Sequence, residues 1–128
     1  MKYAFVYLAS PYSGTKNEMA YRHSENVRAL AKFYFNSQYI VHSPIAQWHD
    51  PALHHHLPKG YEAWADQAEL LIAHCDEVHI LDLPGFMKSD GLKEETEWAE
   101  YCGIPIKILN HMDYTLMEIP DAFGFETD

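Results

Sequence analysis

The stretch "EVHILDLPGFMKSDGLKEETEWAEYCGIPIKIL", residues 77–109, decides the fold. Its opening, "EVHILDL", is a short apolar run rich in branched side chains and reads as a buried strand. "LPG" then marks a turn. Ser89 and Asp90 are natural N-cap residues, and Gly91 lets the backbone turn tightly as a helix begins. Gly103 followed by Ile104-Pro105 stops that helix, because glycine suits the left-handed cap and proline cannot continue the ladder. "PIKIL" is a second strand. Strand, helix and strand in this order form a parallel crossover unit.

The same alternation extends upstream. "KYAFVYLA" predicts a buried strand over residues 3–9, and a helix follows over 17–37 with Ala20, Val27, Leu30, Ala31 and Tyr34 near one face. "QYIVHS" is the next strand. Residues 43–60 read as a long loop, and 61–75 as a helix with the stripe Tyr61, Trp64, Ala65, Ala68, Leu71 and Ile72. Four strands separated by helices imply right-handed crossovers in an α/β domain. The expectation is a Rossmann-like or flavodoxin-like parallel sheet of four to five strands with helices on both faces. That domain spans 1–109, and 110–128 form a C-terminal tail with at most one turn of helix.

At about 100° per residue, the helix after "LPG" places Leu92, Thr96, Ala99, Cys102 and Gly103 on one face. Glu94, Glu97 and Glu100 point away, but Glu95 falls inside the apolar stripe. A buried carboxylate must be paired or used, unless it leans out to water in the helix's first turn.

Composition narrows the function. Nine Lys plus Arg against 19 Asp plus Glu give a net charge of −10, which argues against long nucleic acids but leaves room for one phosphate at a helix N-terminus. No apolar run approaches the length of a membrane span, about 18 residues. The start lacks a signal peptide's length and cleavage site, and Cys75 and Cys102 read as buried free thiols. A reducing, cytoplasmic location is the expectation.

Ligands of such sheets bind beyond the carboxyl ends of the strands. "ASPYSG", "SPIAQWHD" and "LPGFMKSDG" lie at that edge. The first is neither a dinucleotide fingerprint nor a Walker loop. It reads as a structural turn or as a cradle of hydroxyls and amides for a sugar or phosphate. Trp48 offers a stacking surface or a lid over the core. His49, Asp50, His54, His55 and His56 lack the spacing of a metal motif, so the His-rich stretch is expected to be a solvated loop, with no metal and no cofactor. Tyr7, near the end of the first strand, either reaches a carboxylate or fills the core. Asp66 lies opposite its helix's apolar stripe, and Asp76 reads as a structural turn residue.

"YLASPYSG" at 7–14, "SPI" at 43–45, "CDEVHIL" at 75–81 and the spacing S-x-G-x-x-x-E-x-x-x-A-x-x-x-G-x-P at 89–105 together resemble the nucleoside 2-deoxyribosyltransferase-like superfamily. That superfamily includes the 2'-deoxynucleoside 5'-monophosphate N-hydrolases, and the resemblance is nearest to its small members of unknown function. It runs from about residue 3 to 109. It implies that Glu95 attacks the anomeric carbon of a nucleoside, as a carboxylate nucleophile does in retaining glycosidases. Water or a second base would then complete hydrolysis or exchange. Tyr7 matches the tyrosine that orients the nucleophile, and Ser89 matches the serine that holds a 5'-phosphate. Pro11 and Ser13 stand where the monophosphate hydrolases carry Ser and Arg. The family's leaving-group acid would fall at position 68, which is Ala68 here, so Asp66 is the expected acid. Ser10, Tyr12, Ser13, Gly14, Trp48, Phe86, Ser89 and Gly91 are the expected substrate-binding residues, and a homodimer or larger homo-oligomer is implied. The competing reading is a non-catalytic binding module for a nucleotide-derived ligand. A metal-dependent hydrolase built on the histidines ranks third.

Overall fold

The computed structural model describes residues 2–58, 60–120 and 123–125. Strands β1 (Ala4–Ala9), β2 (Tyr39–His42), β3 (Glu77–Leu81) and β4 (Ile106–Leu109) pair in parallel, and β5 (Leu116–Glu118) joins β4 antiparallel. The spatial order is β2-β1-β3-β4-β5, the flavodoxin-like order. Its direction of winding reverses between β1 and β3, which makes their carboxyl ends the place for a ligand crevice.

Alternation along each strand sends side chains to two separate cores. Val6 and Leu8 on β1, Leu81 on β3 and Leu109 on β4 pack against Ala29 of α1 (Lys16–Ala29) and Tyr34 of the π-helical turn that extends it over Leu30–Tyr34. On the other face, Tyr7, Ala9, Val78, Ile80 and Ile106 meet Ala68 and Ile72 of α3 (Ala65–His74) and Leu92 and Ala99 of α4 (Asp90–Tyr101). Helices therefore cover both faces. α4 begins at the Ser89 cap and ends before Gly103 at φ +73, where the sequence signals put its ends.

Three expectations change. Residues 43–60 are not one loop, because α2 occupies Pro44–His54. The Ser43 hydroxyl accepts from Ala46 N at 3.1 Å and Pro44 sits at the first helical position, both strong start signals. The tail contributes β5 rather than a helical turn, and Ile119 and Phe125 pack onto the α3/α4 core. On α1 the buried residues are Asn26 and Ala29, while Ala20, Val27 and Ala31 are exposed. Leu30 and Tyr34 of the expected face do pack into the core, but Asn26, an amide that no hydrophobic pattern picks out, is as fully buried as Ala29.

Asn26 joins two strand exits. Its Nδ2 donates to Ser10 Oγ at 2.9 Å and to the Arg22 carbonyl at 2.9 Å, and its Oδ1 accepts from Ser43 Oγ at 3.1 Å. Asp76 does similar work at the opposite edge, where its carboxylate accepts from Phe5 N at 2.8 Å. Among the described residues, no helix is long and apolar enough to cross a membrane. Both cysteines are free and half-buried.

Candidate functional site

Glu95 lies one turn into α4, on the side that faces the sheet. Tyr7 reaches it from β1, its hydroxyl donating to Glu95 Oε2 across 88 residues of sequence. Protein encloses the carboxylate on nearly every side, yet the residue keeps a partly exposed face. Burial pushes its pKa up to about 7, with Glu94 adding repulsion and the Tyr7 hydrogen bond pulling the other way. Burial, and next the neighbouring Glu95 charge, raise the Tyr7 hydroxyl well above its ordinary value, so it remains a donor.

A second phenol stands beside this pair. Tyr61 opens a short 3-10 turn (Tyr61–Ala63) before α3, and its ring rests on the first turn of α4. A Cβ on Gly91 would come within 3.3 Å of Tyr61 Cδ1, so the missing side chain permits this close approach. Burial first, then Glu95, Glu94 and Glu69, hold the Tyr61 hydroxyl above its usual range. The sequence reading counted Tyr61 only as part of an apolar stripe. The one available signal was a glycine four residues before Glu95, on the same helical face.

The remaining expected residues divide. Asp66 is exposed on α3, whereas position 68, which faces the core, holds an alanine. Asp66 stays on the solvent side because 100° per residue separates it by about half a turn from Ala68. Ser10 is buried and committed to Asn26 and the Pro11 carbonyl. Ser13 and Gly14 are exposed at the β1 exit. Gly14 lies against the side chains of Glu18 and Arg22, and Arg22 Nη1 donates to the Ser13 carbonyl at 2.7 Å. Arg22 Nη2 also reaches the Pro84 carbonyl at 3.5 Å, linking the β1 and β3 exits. Ser89 caps α4, its Oγ accepting from Leu92 N at 3.2 Å. Trp48 packs against Trp64, with ring centroids 5.3 Å apart. Phe86 touches the Tyr7 core and lines a cavity of about 410 Å³ at the β3 exit, together with Gly85, Lys88 and His111.

The histidines behave differently from one another. His54, His55 and His56 are exposed, as a solvated stretch requires. His49 is buried on α2; its Nδ1 hydrogen-bonds the Tyr12 hydroxyl at 2.7 Å and its ring stacks on His23 at 4.2 Å and 15°. His23, His49 and Asp50 bring ligand atoms within 4.8 Å of one another. Two nearly parallel imidazoles hold their in-plane lone pairs in separate planes, so they cannot both aim at one ion in this arrangement. His42 pairs in register with Tyr7, and its buried Nε2 has no hydrogen-bond partner among the described residues.

The family model described as a domain of unknown function (DUF1937) matches residues 4–111. The chain belongs to this family. The match covers all four parallel strands and α1 to α4, so Tyr7, Tyr61 and Glu95 all fall inside the DUF1937 domain. No curated protein matches the chain.

Proposed function

We propose that this DUF1937 protein cleaves the N-glycosidic bond of a nucleoside or nucleoside 5'-monophosphate. The observation that carries the reading is the inward Glu95 carboxylate, held by the Tyr7 hydroxyl at the sheet's switch point. A carboxylate near pKa 7 that is fixed by one donor can attack an anomeric carbon once it is ionised. The Glu95 oxygen forms a bond to that carbon as the carbon–nitrogen bond breaks, and the base departs with the bonding pair and takes up a proton. Water or a second base then displaces Glu95 and restores the carboxylate. Tyr7 orients the attacking oxygen and shares its charge. The motif spacing around Ser89, Gly91 and Glu95 is what directs the choice toward nucleosides.

The test is base release from a panel of nucleosides and their 5'-monophosphates, followed chromatographically with and without an added free base. Release by the wild type that is lost in Glu95→Ala supports the proposal, and the added-base samples separate exchange from hydrolysis. A panel left uncut overturns it. The exposure of Asp66 favours a second reading, a binding module for the same ligands, since the expected leaving-group acid then faces solvent rather than the site. Under that reading one panel member raises the melting temperature without being cut.

A further inference from the structure

Glu95 has one assigned neighbour, Tyr7, yet a second phenol shares its helical face. Gly91 and Glu95 are four residues apart on α4, so a ring seated on Gly91 lies alongside the Glu95 side chain. Tyr61 occupies that seat, with the contact close enough that an added Cβ at Gly91 would have to displace it. The neighbouring chain pins its approach. Trp64, three residues on, donates its backbone N–H to the Tyr61 carbonyl at 2.9 Å, its indole N–H to the Pro58 carbonyl at 2.8 Å, and packs on Trp48. Among the described residues, none hydrogen-bonds the Tyr61 hydroxyl, and that side chain is only partly covered. A solvent-reachable donor beside a carboxylate and without a protein acceptor is free to hydrogen-bond a ligand that displaces its water.

We infer that Tyr61 is a second positioning residue of the Glu95 site: its ring screens the carboxylate from water, and its hydroxyl donates to the bound ligand. This inference rests on the nucleoside reading for the ligand's identity but not for the screening. On that reading the acceptor is an oxygen or nitrogen of the sugar–base unit lying over Glu95. Tyr7 holds the carboxylate from the strand side, and Tyr61 closes the helix side. The close seat of the Tyr61 ring accounts for the glycine in the first turn of α4, where a Cβ would crowd it.

Three variants separate the two roles. Tyr61→Phe keeps the ring on Gly91 and removes only the donor. Tyr61→Ala admits water to Glu95. Gly91→Ala shifts the intact phenol by a few tenths of an ångström. The ionisation of Glu95 is read without any substrate from carbon-13 chemical shifts of the glutamate carboxyls across pH, assigned by comparison with Glu95→Gln. Base release and ligand-induced melting shifts are read with the 2'-deoxynucleosides and their 5'-monophosphates. In Tyr61→Ala the Glu95 midpoint falls from about 7 toward the ordinary carboxylate value, whereas in Tyr61→Phe it stays in place. Tyr61→Phe keeps the wild-type melting temperature but loses about tenfold in turnover or ligand affinity, as loss of one hydrogen bond to a ligand predicts. Gly91→Ala, which shifts the ring on its seat, lowers the same quantity.

A Glu95 midpoint unmoved in Tyr61→Ala overturns the screening role. Full activity or affinity in Tyr61→Phe overturns the donor role, leaving a packing residue. If the wild type neither cuts nor binds the panel, the glycosidic reading falls and the donor role to a nucleoside falls with it. The carboxyl titration then still decides the screening.

Discussion

At Glu95 the two protonation states are unequally served by the fold, and the sign of that inequality can be measured. Its pKa is raised from 4.5 to about 7, so the folded protein holds a proton there that the unfolded chain has already released between those values. The folded state therefore loses stability as pH climbs from about 4.5 to about 7, and the full cost is present above that range. Replacing Glu95 with Gln keeps an acceptor for Tyr7 and removes the charge. Stability at about pH 8 is expected to rise by about 1–3 kcal/mol, with the gain vanishing near pH 4; urea unfolding at both pH values checks this. The proposed glycosidic cleavage needs the opposite state, so on that reading base release should increase with pH through about 7. Tyr7→Phe removes the hydrogen bond that favours the carboxylate, which moves this midpoint upward, and a less well oriented nucleophile lowers the rate by about 10²-fold. A pH–rate profile reads both effects. A variant with lower rate but an unchanged midpoint would show that Tyr7 acts on something other than Glu95.

Among the elements, α4 was the most legible and α2, which reads as loop, the least; α1 was legible as a helix but not in its buried face. Glu95 could be placed on the inner face of α4 because Leu92, Thr96 and Ala99 really are its buried residues. Ser89 was legible as a cap, and as a cap it contributes measurably. Ser89→Ala should cost about 1 kcal/mol of unfolding free energy, read by urea titration. On α1, polarity misled the reading, since a fully buried side chain is Asn26, bonded to two serines from separate strand exits. Those partners are distant in sequence, and no local pattern encodes them. Asn26→Leu should leave the Ser43 hydroxyl proton without its acceptor and Ser10 Oγ without its donor, lowering stability by about 2 kcal/mol or more, read by urea unfolding. α2 carried its own signals in Ser43 and Pro44, but the histidines and prolines drew the reading toward a loop. Tyr61 was invisible as a site residue for a related reason. Its meaning comes from a docking contact with Gly91, and a stripe of aromatic residues looks the same whether it faces a core or a carboxylate.

For the whole molecule, the parallel α/β class was implied by alternation of elements, but the strand order and the last strand were not. Residues 116–118 carry too short an apolar run to announce themselves, and they become a strand because β4 would otherwise be an open edge. Deleting residues 112–128 should lower the melting temperature and promote self-association through the uncovered β4, detectable by light scattering on heating. The strand order has another consequence. A cut in the exposed stretch between α2 and Tyr61 leaves β2 and β1 in one piece and β3, β4 and β5 in the other, so a single row of β1–β3 pairing bridges the sheet. Tyr7 and Glu95 then belong to different pieces, and their hydrogen bond spans the seam. Two fragments expressed separately and mixed would regain the Tyr7–Glu95 contact only on reassembly, which makes this protein a ready-made complementation sensor whose signal is the titration of its own buried carboxylate.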